Sequence, residues 1–275
     1  CRNVNLSFKK TLLVFLFLPS FLIGSVSSAI ILQNGYPDRL SSNSFNSGKG
    51  FSHIDKDKCP LLVNLGCLGG MEESRKLAIL FGDSHAEHYF SLIDNLSYDS
   101  NFSLKLVASG GCDLLATLTK CVRVKKYFFE NYEMADEIVI GYKWDTLVTN
   151  KFFMEKFQEF LLQIKTSNKN ITLLAQPPSW NVDVSKVENC LRLKLGCNVD
   201  VNVSKDYPTY NLLIENLAIT LGLNYFDPFE VVTKKLMLYS ADGLPYYFDD
   251  NHLSVYGNEM LYDEYLNAVP EVFFN

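Results

Sequence analysis

A serine that follows a candidate buried strand is the first feature of this sequence that could carry chemistry. The run FGDSH at 81–85 comes directly after the apolar start of that strand at 77–80 and before a helix-like segment. A serine there exposes its hydroxyl at the carboxyl edge of a sheet, and the helix N-terminus stabilises negative charge nearby. Ser84 is therefore a candidate nucleophile. The competing interpretation is a helix cap, since Asp and Ser are also preferred N-cap residues.

A second candidate lies far downstream, in the run DDNHLS at 249–254. A serine hydroxyl is a weak nucleophile, so it needs an adjacent base, and that base needs an acid to fix its tautomer. Asp249 and His252 supply both groups within one turn, leaving one ring nitrogen to face Ser84. Capping is again the alternative, with Asp250 or Asn251 beginning the last helix. Together, the two motifs predict a Ser-His-Asp triad.

The elements that must position these residues follow an alternating pattern. Short apolar runs predict strands at 77–81, 102–108, 137–141, 171–175 and 224–226. Apolar residues at helical spacing predict helices at 86–96, 151–165, 210–221 and 254–268. This alternation is typical of parallel βαβ units in a layered α/β sheet. In such sheets the active site lies at the carboxyl ends of the strands, where Ser84 is predicted to be.

An apolar, uncharged segment at 12–32 precedes this pattern. About 20 residues are enough to cross a bilayer as a helix. By the positive-inside tendency, the cations before it stay in the cytoplasm, which places the rest of the chain on the outer side. Those cations are Arg2, Lys9 and Lys10. The alternative is a cleaved signal peptide, which would also export the rest of the chain.

Three regions are predicted from these patterns. Residues 1–32 form a cytoplasmic stub and transmembrane helix, residues 33–76 a periplasmic linker rich in Ser, Asn and Gly, and residues 77–275 a catalytic domain. Since the first residue is Cys1 rather than Met, we expect this chain to be the downstream part of a longer protein.

The cysteines agree with export. Six of the seven form local pairs whose short loops suit disulfides, each contributing about 2–3 kcal/mol. The pairs are Cys59 with Cys67, Cys112 with Cys121, and Cys190 with Cys197. Disulfides persist in oxidising compartments. A zinc site is the alternative, but the spacings are wider than those of C-x2-C knuckles and no histidines cluster with them.

Composition excludes other classes of function. The 275-residue chain is 48% hydrophobic and 20% charged, which is typical of a globular protein with a substantial core. A net charge of -6 and the absence of a basic stripe argue against a nucleic-acid partner. His85 and His88 share a helix face, but no third metal ligand is evident, so we predict no metal site.

The motifs resemble the SGNH (GDSL-like) hydrolase superfamily, and more narrowly the SGNH domains fused behind the acyltransferase-3 membrane domain of bacterial O-antigen and exopolysaccharide acetyltransferases. The resemblance spans roughly 59–268 and rests on GDSHAEHYF at 82–90, GGCDL at 110–114, IVIGYKW at 138–144 and DDNHLSVYG at 249–257. It implies a three-layer α/β/α sandwich with a mainly parallel sheet. It also implies that Ser84, Asp249 and His252 form the triad, and that the backbone N–H groups of Ser84 and Gly111 form the oxyanion hole.

One block departs from the wider superfamily, in which a G-x-N-D asparagine donates to the oxyanion. Here residues 141–145 read GYKWD, so the source of that hydrogen bond is open. Trp144 could form an apolar or sugar-stacking wall of the substrate site, or it could belong to the core.

The resemblance also implies a function. The domain would transfer an acetyl group through an acyl-serine to a hydroxyl of a cell-surface polysaccharide, in the periplasm at the bacterial inner membrane. It would bind no cofactor itself, since acetyl-CoA is the ultimate donor and is used by an upstream acyltransferase-3 membrane domain. Two alternatives are a secreted esterase with water as acceptor and a catalytically silent carbohydrate-binding domain.

Overall fold

The structure is a computed structural model that describes residues 10, 12–32, 65–165, 169–182, 184, 202–229 and 245–268. The chain divides into two compact units, residues 1–45 and 46–275. In the first, a π-helical segment at Leu13–Phe17 precedes helix α1 at Leu18–Leu32. None of the helices within the described ranges is long and apolar enough to cross a membrane. The transmembrane helix predicted within residues 1–32 stays a prediction.

A six-stranded sheet forms the centre of the second unit. Its strands are β1 (Leu65–Gly70), β2 (Lys76–Gly82), β3 (Phe102–Ala108), β4 (Glu137–Gly141), β5 (Asn170–Leu174) and β6 (Asn224–Phe226). Their order is β1-β3-β2-β4-β5-β6; β1 runs antiparallel to β3, and every other pair is parallel. The predicted mainly parallel sheet is confirmed.

Helices follow the strands. They are α2 (Ser84–His88), α3 (Phe90–Asp99), α4 (Thr119–Asn131), a 3-10 turn (Tyr132–Met134), α5 (Trp144–Leu147), α6 (Lys151–Lys165), α7 (Tyr207–Leu221) and α8 (Val255–Ala268). The single helix predicted at 86–96 is two helices that meet at Tyr89. Helix α4 was not predicted, because its alternating Val-Arg-Val start obscures the helical spacing of its buried residues.

The core lies on both faces of the sheet. Successive side chains of a strand point to opposite faces, so alternate residues enter different clusters. On β2, Leu80 packs in one cluster with residues of α3 and α8, whereas Ile79 and Phe81 pack in the other with residues of α4, α6 and α7. Helices therefore cover both faces, and the fold is the predicted three-layer α/β/α sandwich.

Strand β1 shortens the predicted linker. The predicted linker spans residues 33–76, yet residues 65–70 pair with β3 as an antiparallel edge strand. The sequence of β1 is LGCLGG, and its three glycines conceal a strand because glycine has a low strand propensity. The linker therefore ends before Leu65.

The local cysteine pairing is confirmed where the structure describes it. Cys112 and Cys121 form a disulfide with a Cα–Cα distance of 5.0 Å. Cys67 is also disulfide-bonded. Its predicted partner Cys59, and the predicted pair of Cys190 with Cys197, lie outside the described residues.

The double variant Cys112→Ala, Cys121→Ala should be less stable than the wild type by about 2–3 kcal/mol, because the disulfide restricts the unfolded chain. The free energy of unfolding, measured by denaturant titration without reductant, checks this. Peptide mapping of unreduced wild-type protein is the control for bond formation. An unchanged free energy of unfolding despite a mapped disulfide would contradict the prediction.

Candidate active site

Ser84 lies where β2 gives way to α2. Gly82 ends β2 with φ of +154°, and a Cβ there would lie 1.8 Å from the carbonyl oxygen of Gly141 on β4, so only glycine fits. Asp83 is the cap of α2, because its Oδ1 accepts a hydrogen bond from the backbone N–H of His85 at 2.8 Å. The capping role belongs to Asp83, which leaves the Ser84 hydroxyl for another partner.

Asp83 also joins two loops, a role that sequence analysis missed. Its second carboxylate oxygen, Oδ2, accepts a hydrogen bond from the backbone N–H of Lys143 at 3.1 Å, in the loop after β4. Burial raises the pKa of Asp83 to about 6, against the opposing effect of its backbone hydrogen bonds. The residue type before Ser84 indicated a cap, but nothing in the sequence indicated the contact with residue 143.

The structure brings the three predicted triad residues together. His252 Nε2 lies 2.8 Å from Ser84 Oγ, and His252 Nδ1 lies 2.7 Å from Asp249 Oδ2. Asp249 Oδ1 accepts hydrogen bonds from the backbone N–H groups of Asn251 at 2.9 Å and His252 at 2.7 Å. Burial raises the pKa of Asp249, but the hydrogen bond and charge of His252 outweigh it and lower the pKa. An ionised Asp249 therefore orients the His252 ring.

Backbone contacts fix the loop that carries Asp249 and His252. Tyr247 and Leu253 form an antiparallel bridge, and the N–H of Phe248 donates to the carbonyl of His252 at 2.8 Å. The N–H of Trp180, after β5, donates to the carbonyl of Asp250 at 2.7 Å. These contacts join the two ends of the loop to each other and attach the loop to the segment that follows β5.

Two further histidines pack against the ring of His252. The ring centroid of His85 is 4.8 Å from that of His252, and the ring centroid of His88 is 5.6 Å from it. Both are buried, and burial lowers the pKa of each well below its ordinary value. They therefore pack as neutral rings at neutral pH. Within the part of the chain that the structure describes, no group of three or more His, Cys, Asp or Glu residues could hold a metal ion.

The Gly110-Gly111 turn after β3 lies beside Ser84. A Cβ on Gly110 would be 3.6 Å from the Cβ of Ser84. Gly111 has φ of +71°, a left-handed conformation that favours glycine. The position agrees with the predicted contribution of Gly111 to an oxyanion hole, which stays a prediction.

The substrate-wall interpretation of Trp144 is wrong. Its side chain is fully buried, and its Nε1–H donates to the carbonyl of Leu174 at 2.7 Å. Its ring lies 5.4 Å from that of Tyr142 and 5.3 Å from that of Phe157, measured between centroids. Trp144 belongs to the core, which was the alternative, because its indole N–H finds a backbone partner inside the domain.

A mainly parallel sheet covered by helices on both faces, with a serine after β2 hydrogen-bonded to a late histidine that is in turn hydrogen-bonded to an aspartate, is typical of an SGNH hydrolase-type domain. Residues 44–267 match the family described as "SGNH domain (fused to AT3 domains)", and the chain belongs to this family. AT3 denotes acyltransferase-3.

A solved structure shows the same fold. The chain is similar to the periplasmic domain of a lipopolysaccharide acetyltransferase from Salmonella ser. Paratyphi A, with a TM-score of 0.59 and 12% identity over 73% of this chain and 86% of that chain. It also matches a predicted SGNH hydrolase from Slackia heliotrinireducens, with a TM-score of 0.48 and 15% identity over 71% of this chain and 98% of that chain. Comparison with curated proteins gave no match.

Proposed function

We propose that this domain transfers an acetyl group, through an acyl-serine on Ser84, to a hydroxyl of a cell-surface polysaccharide. The observation that carries the proposal is the hydrogen-bonded series Ser84–His252–Asp249 in a chain whose family is fused to AT3 domains. The fold shared with a lipopolysaccharide acetyltransferase domain supports the same substrate class.

In the first half-reaction, His252 Nε2 takes the proton of the Ser84 hydroxyl while Oγ attacks the carbonyl carbon of an acetyl ester or thioester donor. The Asp249 carboxylate accepts the Nδ1–H and stabilises the imidazolium that forms. The oxyanion is held by the backbone N–H groups of Ser84 and Gly111. The bond between carbonyl carbon and donor then breaks, and His252 returns the proton to the leaving group.

In the second half-reaction, a sugar hydroxyl gives its proton to His252 Nε2 and attacks the carbonyl carbon of the acyl-serine. The ester bond to Oγ breaks, and His252 returns the proton to Ser84. The acetyl group therefore leaves on the sugar oxygen, and the triad is restored.

The family also supports a location and a partner. These steps use side chains and backbone groups of this domain, and SGNH domains need no cofactor. An upstream acyltransferase-3 membrane domain would supply acetyl groups that originate from cytoplasmic acetyl-CoA. The SGNH domain would then act in the periplasm at the inner membrane, where lipid-linked or surface polysaccharide is the acceptor.

Restoring the full-length gene to a deletion strain should raise the acetate content of its purified surface polysaccharide. The isolated part from about residue 33 onward should only slowly hydrolyse small acetyl esters, because a transferase gains by keeping its acyl-serine until a sugar arrives. The measurements are polysaccharide-bound acetate and acetate released in solution, with the empty vector as control. Lower acetylation on restoring the gene, or rapid deacetylation of acetylated glycan by the isolated part, would favour the esterase.

A further inference from the structure

Helix α4 holds the loop that follows β3 at several points. The Nζ of Lys120 donates a hydrogen bond to the carbonyl oxygen of Gly110 at 2.6 Å. The next residue, Cys121, is joined by a disulfide to Cys112, two positions beyond Gly110. Further along the helix, the Nζ of Lys125 donates to the carbonyl oxygens of residues 114 and 116, at 2.8 and 2.9 Å. Helix α4, which follows this loop in the sequence, therefore positions the loop beside Ser84.

The contact of Lys120 falls on one particular peptide group. The carbonyl of Gly110 and the N–H of Gly111 belong to the same planar amide, and this amide is trans, so the two bonds point in opposite directions. Within the residues that the structure describes, the N–H of Gly111 donates to no backbone carbonyl. The Lys120 ammonium therefore binds the oxygen end of the amide whose other end is the proposed oxyanion donor.

We propose that Lys120 is a positioning residue that polarises the Gly110-Gly111 amide and strengthens the Gly111 N–H as a donor to the oxyanion. This inference rests on the roles proposed above for Ser84 and Gly111. A hydrogen bond to a carbonyl makes the N–H of the same amide a stronger donor, and the effect is larger when the first donor is charged. The cation also adds positive potential near the negative charge that develops in the transition state.

These dipoles are already oriented before the transition state forms. The disulfide fixes the start of α4 against the loop, so Lys120 needs no large motion to reach Gly110. The backbone of Gly111 is held in its left-handed conformation by the same turn, in which the N–H of Cys112 donates to the carbonyl of Ser109 at 3.0 Å. Preorganised donors of this kind are the ones that lower activation barriers.

The test compares Lys120→Met with Lys125→Met in the full-length protein. Both changes remove a cation and its hydrogen bonds to the same loop, one for Lys120 and two for Lys125, but only the first touches the Gly110-Gly111 amide. The probe is a fluorophosphonate, whose phosphoryl oxygen enters the oxyanion hole. His252 takes the proton of the Ser84 hydroxyl as Oγ bonds to phosphorus, the P–F bond breaks and fluoride leaves. Lys120→Met should lower the maximal labelling rate by about tenfold, less than the loss of a whole oxyanion donor, with the half-saturating probe concentration unchanged. Lys125→Met should label at the wild-type rate, and Lys120→Arg should recover most of the rate because the cation is retained.

A second measurement is independent of catalysis. A strongly polarised amide proton resonates downfield, so the Gly111 amide proton should move upfield in Lys120→Met and stay in place in Lys125→Met. Equal effects of the two lysine variants on labelling, or an unmoved Gly111 resonance in Lys120→Met, would overturn the proposal. A wild-type protein that does not label at all would instead contradict the role of Ser84, and the amide resonance would still decide the role of Lys120.

Discussion

Ser84→Ala should abolish acetyl transfer and leave the fold intact. The Ser84 hydroxyl lies 2.8 Å from His252 Nε2, and no acyl-enzyme can form without it. Loss of a triad nucleophile lowers kcat by about 10⁴-fold or more. The cost in stability is about 1 kcal/mol, the value of one hydrogen bond, because Asp83 and not Ser84 caps the helix. Polysaccharide acetate in the complemented deletion strain and fluorophosphonate labelling measure the first effect, and thermal unfolding measures the second.

Ser91→Ala is the matched control. Ser91 lies in α3, one helix beyond Ser84, and its buried hydroxyl makes no hydrogen bond within the described part of the chain. This variant should acetylate and label at the wild-type level. If Ser84→Ala acetylates polysaccharide within a few-fold of the wild type while its unfolding temperature is unchanged, Ser84 is not the nucleophile. That result would favour the alternative of a catalytically silent carbohydrate-binding domain.

The triad could be predicted because its chemistry restricts residue type and spacing at once. A nucleophile after a strand and an Asp-x-x-His turn are each weak signals, but together they are stronger, because a serine nucleophile needs a base and that base needs an acid. The sheet topology brings the two together: Ser84 follows β2, near the centre of the sheet, and the loop with His252 is attached after β5 through Trp180. The local sequence was sufficient to predict the three triad residues, but it gave no indication of the hydrogen bond between Trp180 and Asp250.

The features that could not be predicted from the sequence are those that depend on tertiary contacts. Strand β1 has three glycines in six residues, and it is a strand because β3 offers it an edge. Trp144 could have been a sugar-stacking wall or part of the core, and its burial, with the indole N–H donating to the carbonyl of Leu174, depends on tertiary packing. The contact of Lys120 with Gly110 depends on where α4 crosses the loop, and a lysine in a helix otherwise indicates only a solvated face.

The second large effect is expected from a substitution of Asp249, whose role differs from that of the adjacent Asp250. Asp249→Asn should lower the rate of acyl-serine formation by about 10²–10⁴-fold, because an amide nitrogen in place of Oδ2 would donate to His252 Nδ1. The ring would then carry its proton on Nε2, the atom that must accept the Ser84 proton. The asparagine Oδ1 can still accept from the backbone N–H groups of Asn251 and His252, so the loop should keep its conformation.

Asp250→Asn is the control for charge and position. The Asp250 carboxylate contacts the side chain of Asn251, and its backbone carbonyl, which the substitution retains, binds the N–H of Trp180. Neither contact reaches the ring of His252, so labelling of Ser84 should be close to that of the wild type. The ¹⁵N resonances of the His252 ring should show a proton on Nδ1 in the wild type and in Asp250→Asn, and on Nε2 in Asp249→Asn. The reverse order of labelling rates would transfer the orienting role to Asp250, while an unchanged tautomer in Asp249→Asn would show that the carboxylate does not select it.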